Sequence, residues 1–366
     1  MNAISPASSF APSRAPTYNP SFQFGSNPNG LIAGLADPIS ALLQKFAASP
    51  TGVEQGALLR ALDDVTGGRQ ATDALMRGDV APQQTMPAGG GKAAKAPAYT
   101  DKTLYGKGGP VASDIQQDSF GDCYFVATLG AVAQQNPAAI RNAISYDAKT
   151  SSFNVTLYDS AGKKQTINVT QAEIANNVKQ GGGSTMDNTG TTARGWPAVM
   201  ETAFAKMNDS NPKNGLTEGY TAIRNGGWPA DAMRTITGNA GTEVKFSQGM
   251  FESRSAALDR MGTSVQTALN NNKPVTAWSV PERDSRSWWG QMTGAANPQD
   301  GLADNHVYTV QSIAKDANGD WQVTLRNPWG HNVGVGEGKD QNSASMTIPL
   351  SELVSTGGLN SFRVGN

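Results

Sequence analysis

One cysteine and two histidines are present in 366 residues, so any thiol–imidazole chemistry must be built from Cys123 and either His306 or His331. Cys123 ends the segment Gln117-Asp118-Ser119-Phe120-Gly121-Asp122-Cys123 and opens an apolar stretch, YFVATLGAVAQQ, that predicts a helix stopping before Pro137. A helix N-terminus supplies partial positive charge and unpaired backbone N–H groups, and both favour a thiolate. Gly121 lets a substrate backbone approach closely, and Asp122 is a favoured N-cap residue type. The Cys123 N–H and the Gln117 side-chain amide are the candidate donors to an oxyanion formed during acyl transfer. The competing reading is a small buried hydrophobe, since cysteine is among the most buried residue types.

His306 opens an alternating run, HVYTVQSI, and Asn327 ends the next one, WQVTLRN, with Asn318-Gly319 as a hairpin-turn signal between them. Antiparallel pairing puts His306 and Asn327 at the same open end of that hairpin. A general base needs an orienting hydrogen bond on its second ring nitrogen, and an asparagine carbonyl supplies one. Pro328 and Trp329 follow directly, and an indole beside the pair would keep water from its hydrogen bond. Taken singly, a strand-end histidine and an Asn-Pro turn are ordinary features. Together with Cys123, in this chain order, they follow the Cys-His-Asn logic in which asparagine replaces the carboxylate of a triad. His331, past the proline in a Gly-rich loop, is the competing base and is expected to face solvent.

The elements that must position these residues divide the chain into three parts. Residues 1–100 form a low-complexity, partly helical N-terminal arm and linker: 1–30 are rich in Ser, Pro, Ala, Asn and Gly, and weak helical patterning at Leu35, Ile39, Leu42, Leu43 and Phe46, then Leu58, Leu59, Leu62 and Val65, is broken by Pro50, Gly52, Gly67 and Gly68. Residues 81–100 read as a linker. Residues 101–227 read as a helix-rich lobe holding the nucleophile, with a hairpin around residues 159–162 and a helix over WPAVMETAFAKM, where Pro197 sits just inside the start. Residues 228–366 read as a β-rich lobe holding His306 and Asn327, with strand-like runs at 275–280, 306–313, 321–326, 345–348 and 361–364. Helices followed by strands predict the α+β class.

Bulk properties remove several alternatives. The net charge of −1 gives no pull toward nucleic acid or anionic membrane. Mean hydropathy is −0.41, and no apolar run approaches the length of a spanning helix. The start, MNAISPASSFAPSRAP, lacks the apolar core of a secretory signal, so a soluble chain is expected, cytoplasmic or exported by a non-classical route. A single cysteine excludes an intrachain disulfide and a multi-cysteine zinc site.

With these residues in place, the chain resembles the protease core of the calpain family. The resemblance is carried by Gln117 with Gly121-Asp122-Cys123, by Asn305-His306-Val307-Tyr308 and by Arg326-Asn327-Pro328-Trp329-Gly330. It extends to WPAVMETAFAKMN, to Tyr220-Thr221-Ala222-Ile223 with Gly226-Gly227, and to the segment 346–365. It implies a papain-like fold in two lobes and endopeptidase cleavage through a thioester acyl-enzyme. Cys123 would be the nucleophile, His306 the base and later acid, Asn327 the orienter, Gln117 an oxyanion donor and Trp329 the shield. Tyr124 stands where the family has Trp, and Asn305 where it has Gly. The resemblance also implies calcium, bound by the carboxylates of Asp114 and Glu201 and the Gly109 carbonyl, which are suitable oxygen ligands. The alternative for these is a loop aspartate and an exposed helical glutamate. For a second site Asp340 matches one ligand, while Val333 replaces an acid and QNSASMTIPL lacks the acidic cluster. No EF-hand loop is present.

Trp288-Trp289, with Trp278 upstream, would either rim a peptide cleft or fill an inter-lobe contact, the second being preferred. The Gly-rich stretches at 181–183 and 334–338 lack phosphate-cradle spacing. Besides a peptidase acting on protein or peptide substrates, two readings remain: a catalytically silent interaction module whose N-terminal arm docks a partner, and a transglutaminase-like acyl transferase. The arm would be a delivery signal, a pro-region or a docking segment.

Overall fold

Residues 99–184, 194–211, 213–283, 300–333, 335 and 341–366 are described by the structure, a computed structural model. The arm over 1–98, Trp288-Trp289, Asp340 and the glycines at 334, 336 and 338 lie outside the described residues.

The first part contains helix α1 (Asp101–Leu104), a 3-10 turn (Ala112–Asp114), α2 (Cys123–Gln135), α3 (Pro137–Ala143), strands β1 (Ile144–Asp147), β2 (Ser152–Tyr158) and β3 (Lys164–Thr170), and helices α4 (Gln171–Lys179), α5 (Trp196–Met207), α6 (Thr217–Arg224) and α7 (Pro229–Thr237). The second contains β4 (Thr242–Val244), α8 (Arg254–Asn270), β5 (Val275–Ser279), β6 (Val307–Lys315), β7 (Trp321–Arg326), β8 (Ser345–Pro349), α9 (Leu350–Thr356) and β9 (Leu359–Val364). β1, β2 and β3 form a small antiparallel sheet in that order, and the others a six-stranded sheet in the order β4-β9-β5-β6-β7-β8. The α+β expectation holds.

Two apolar cores underlie this arrangement. Phe125, Leu129, Phe153, Trp196, Val199, Met200 and Ile236 belong to the first, and Val265, Tyr308, Val323, Leu325, Ile348 and Phe362 to the second. Helix α2 is apolar all round, and every residue from Tyr124 to Ala133 is buried, as expected of a helix enclosed on all sides. It crosses to the second sheet, where Thr309 Oγ1 donates to Ala127 O at 2.7 Å and Gln134 Nε2 to Gln311 O at 3.1 Å. Gly130 permits that approach, because a Cβ there would lie 2.8 Å from Thr309 Oγ1.

β6 and β7 form the hairpin expected from Asn318-Gly319. Asp316 Oδ1 accepts from the N–H groups of Asn318 and Asp320, and Gly319 takes a positive φ of 86°. The register pairs Thr309 with Arg326. His306 therefore precedes β6 at the same end at which Asn327 leaves β7. Among the described residues no helix is long and apolar enough to cross a membrane.

Candidate active site

Cys123 is the first residue of α2, half-buried, and thus open enough for a substrate to reach. The backbone N–H groups of Val307 and Tyr124 lie close enough to the sulfur to favour its charged form, and Val307 directly follows His306. The thiol thus lies beside the start of β6. Dense packing around the sulfur pushes the thiol up to about 12, against the pull of those two donors. His306 is pushed down to about 4, again chiefly by burial. Burial thus favours the neutral form of each group.

The His306 ring is oriented by a network whose polarity is set by the backbone. Trp329 N donates to Asn327 Oδ1 at 3.1 Å, and His306 Nε2 lies 3.0 Å from the same oxygen. An oxygen already accepting one N–H requires a donor from the ring as well, so Nε2 carries the proton and Nδ1 keeps the lone pair of a base. The bond is dry: Asn327 is fully buried and His306 nearly so. The Trp329 ring covers the imidazole with centroids 4.5 Å apart, and Tyr308 meets it edge-on at 4.8 Å. His331 is half-buried and turned into its own loop, where Nδ1 accepts from Val333 N at 3.2 Å. It does not face solvent as the sequence suggested.

Asn305 has a positive φ of 53°. That left-handed conformation explains the preference for glycine before the histidine, and asparagine is the side chain that tolerates it best. Tyr124 fills the space behind the nucleophile, its ring against Gly227 and its hydroxyl donating to Ile223 O at 3.4 Å.

The loop before Cys123 differs from expectation in two respects. Asp122 stands at the N-cap, but its side chain makes no capping bond. It is fully buried and turned inward, where Oδ1 accepts from Gln117 Nε2 at 3.0 Å. Gln117 Nε2 also donates to Phe120 O at 2.6 Å, so both amide N–H groups are engaged within the loop and Oε1 is left unpartnered. Among the expected oxyanion donors, the Cys123 N–H is the one that the helix start leaves without an intrahelical acceptor.

Glu201, on α5, is also buried rather than exposed. Its Oε2 accepts from Gly183 N, and its carboxyl meets that of Asp122. Asp122 Oδ2 finds no donor among the described residues unless the two acids share a proton. Burial pushes Asp122 up to about 6, opposed by its bonds to Glu201 and Gln117, and burial with the adjacent Asp122 charge pushes Glu201 well above the carboxylate range. A proton held between them is the consistent state.

The two carboxylates expected to ligate calcium are engaged elsewhere. Asp114 is fully buried and accepts from Arg194 Nη1 at 2.6 Å, Trp196 Nε1 at 2.8 Å and Val111 N at 3.1 Å. Glu201 belongs to the acid pair, and the space at Gly109 is filled by the Arg141 guanidinium. Among the described residues no three His, Cys, Asp or Glu side chains converge on a point where an ion could sit. As arranged, these residues do not fit the ion.

The sequence reading named Trp278 as a cleft rim or inter-lobe contact but gave no part to the residues around it. A cavity of about 330 Å³ is lined by Trp228, Trp278, Asp231, Glu243 and Arg363, among others. Trp278 pairs in register with Val307, packs on the core that Cys123 touches, and meets Trp228 edge-on at 5.0 Å. Trp278 thus lines this cavity from a strand position paired with the start of β6. Arg326, which the sequence reading quoted without a role, is a structural tie: Nε donates to Ala112 O at 3.1 Å and Nη2 to Ile115 O at 2.9 Å. With Gln117 N donating to Pro328 O at 2.7 Å, it ties the segment carrying Cys123 to the strand end carrying Asn327.

The family model described as calpain family cysteine protease matches residues 95–350. The chain is 25% identical over 231 residues to calpain-13 of Rattus norvegicus, an alignment covering 60% of this chain and 29% of that protein. It is 24% identical over 236 residues to a thiol protease of Porphyromonas gingivalis, covering 61% of this chain and 45% of that protein. The chain thus spans less than half the length of either relative. The match to the family model, covering most of the chain and both halves of the site, establishes that it belongs to the calpain family of cysteine proteases.

Proposed function

We propose that the chain is an endopeptidase in which Cys123 is the nucleophile, His306 the general base and Asn327 the residue that orients it. His306 Nδ1 takes the thiol proton as Sγ attacks the scissile carbonyl carbon. The oxyanion is received by the Cys123 N–H, joined by Gln117 when its Nε2 gives up the longer bond, the one to Asp122. The imidazolium then protonates the departing amine, leaving a thioester on Cys123. Water, deprotonated by His306, hydrolyses the thioester and releases the acid. Because burial favours the neutral form of both thiol and imidazole, the proton moves during attack rather than before it.

The observation that carries this reading is the dry His306–Asn327 bond of 3.0 Å at the residue preceding Val307, whose N–H lies near the sulfur. A protein or peptide is the substrate implied by the family, and the Trp228–Trp278 opening is where a substrate side chain would lodge. Labelling with a peptidyl epoxide tests the assignment, with adduct at Cys123 in the wild type and none in Cys123→Ala. Unlabelled but folded protein, hydrolysing no peptide, would reject it. The N-terminal arm is proposed to dock a partner; deletion of residues 1–98 would then leave peptide hydrolysis intact.

A further inference from the structure

The oxygens that surround the turn before the nucleophile form a pattern of their own. A hard cation takes six to eight oxygens, carboxylate and carbonyl among them. Here such oxygens are already bonded to arginine. The Asp114 carboxylate accepts from Arg194, Ala112 O and Ile115 O accept from Arg326, and Gly108 O accepts from Arg141 at 3.1 Å. The Asp114 carbonyl is taken by Ser184 Oγ at 2.7 Å. Two glycines make room for these groups: a Cβ on Gly106 would lie 2.9 Å from Arg194 Nε, and one on Gly109 would collide with Arg141.

We propose that the Arg194 guanidinium is the resident cation of this site, a positioning residue that holds Asp114 and orders the segment leading to Gln117 and Cys123 without calcium. The charge match is direct, since a fully buried carboxylate needs a counter-ion and Arg194 provides one at 2.6 Å. The connectivity is direct as well. Arg194 adjoins α5 through Gly195, and Trp196, the first residue of α5, adds a second donor to the same carboxylate. Arg326 carries the same turn onward to Asn327. A fixed side chain therefore links α5, the nucleophile segment and the end of β7, the three elements a metal here would have to join.

The test uses the full chain and does not need turnover. Trp196 touches Asp114, so terbium bound at this carboxylate would be sensitised by tryptophan excitation. The expected result for the wild type is no saturable, calcium-displaceable terbium emission and the same melting temperature in calcium as in chelator. Arg194→Ala is expected to melt roughly 5–15 °C lower, as for a broken buried ion pair, and Arg194→Lys to recover part of that loss by restoring the charge without the planar fork. Epoxide labelling of Cys123 should slow in Arg194→Ala and recover in Arg194→Lys. Only that labelling arm rests on the proposed role of Cys123, so an unreactive cysteine leaves the melting and terbium arms intact. Terbium emission that saturates in the wild type and vanishes in Asp114→Asn, or a calcium-dependent rise in its melting temperature, would overturn the proposal. So would an Arg194→Ala variant that melts and labels like the wild type. Should Arg194→Ala fail to fold, Arg194→Lys and the calcium arms decide.

Discussion

His306 Nε2 and Asn327 Oδ1 lie 3.0 Å apart, and the Trp329 N–H on the same oxygen fixes which of the two donates. One backbone bond thus sets the tautomer of the imidazole, leaving the lone pair on Nδ1. Asn327→Ala removes the orienting acceptor and leaves the Trp329 N–H and His306 Nε2–H unsatisfied. We expect Cys123 labelling and peptide hydrolysis to fall by roughly 10²–10⁴, the range associated with an acid–base contribution, while the fold persists. Measuring the second-order labelling rate alongside the melting temperature separates the two effects.

The pH profile follows from the same ring. Burial holds His306 down at about 4, below its ordinary value near 6.5. The base is therefore competent above about pH 4, and labelling by an uncharged epoxide should fall only as the pH drops through that value. Stability has a matching sign for this group. The unfolded chain binds the proton more readily between pH 6.5 and 4, so the His306 contribution is fully present above 6.5 and is lost on acidification through that window. A labelling rate that falls with a midpoint near 6.5 would contradict the buried, neutral imidazole.

The Asp122–Glu201 pair acts in the opposite direction. Both acids are raised by burial, so the folded protein keeps a proton that the unfolded chain has already lost. Their contribution is present below the ordinary carboxylate range and declines as pH rises through about 6. Glu201→Gln keeps an acceptor for Gly183 N and offers an amide donor to Asp122 without a second charge. We expect it to raise the melting temperature at pH 8 and change it little at pH 5. Parallel stability–pH curves for variant and wild type would refute the shared proton.

Asn305 gives a purely conformational prediction. At φ 53°, Asn305→Gly should be neutral or mildly stabilising. Asn305→Val should cost about 1–2 kcal/mol, the penalty of a left-handed conformation at a residue with Cβ. Chemical denaturation measures the difference, and equal midpoints for the two variants would show that the backbone relaxes.

How much was legible in the sequence depended on how locally each feature is encoded. Helix α2 is announced by a largely apolar run and helix α5 by apolar residues at helical spacing, each with a proline at one end, and β6 and β7 by alternation around an Asn-Gly turn. Helix α8 left little trace, because only one side of it is buried, at Ala257, Met261, Val265 and Ala268 among polar residues. Strands β1 and β4 are too short to show a period. At the site, the residue types and order of Cys123, His306 and Asn327 were readable because their chemistry is rare. Side-chain direction was not. Asp122 suits an N-cap by type yet turns inward to Glu201, and Gln117 suits an oxyanion donor yet is engaged by its own loop. Arg194 was invisible, since its partner Asp114 lies eighty positions earlier in the chain.

The central claim is tested most directly by mass spectrometry of the intact protein after exposure to a peptidyl epoxide, followed by peptide mapping. The account expects one adduct per chain, located on Cys123, abolished in Cys123→Ala and strongly slowed in His306→Ala. A folded wild-type chain that remains unmodified while hydrolysing peptide, or one that loses no reactivity in His306→Ala, would contradict it.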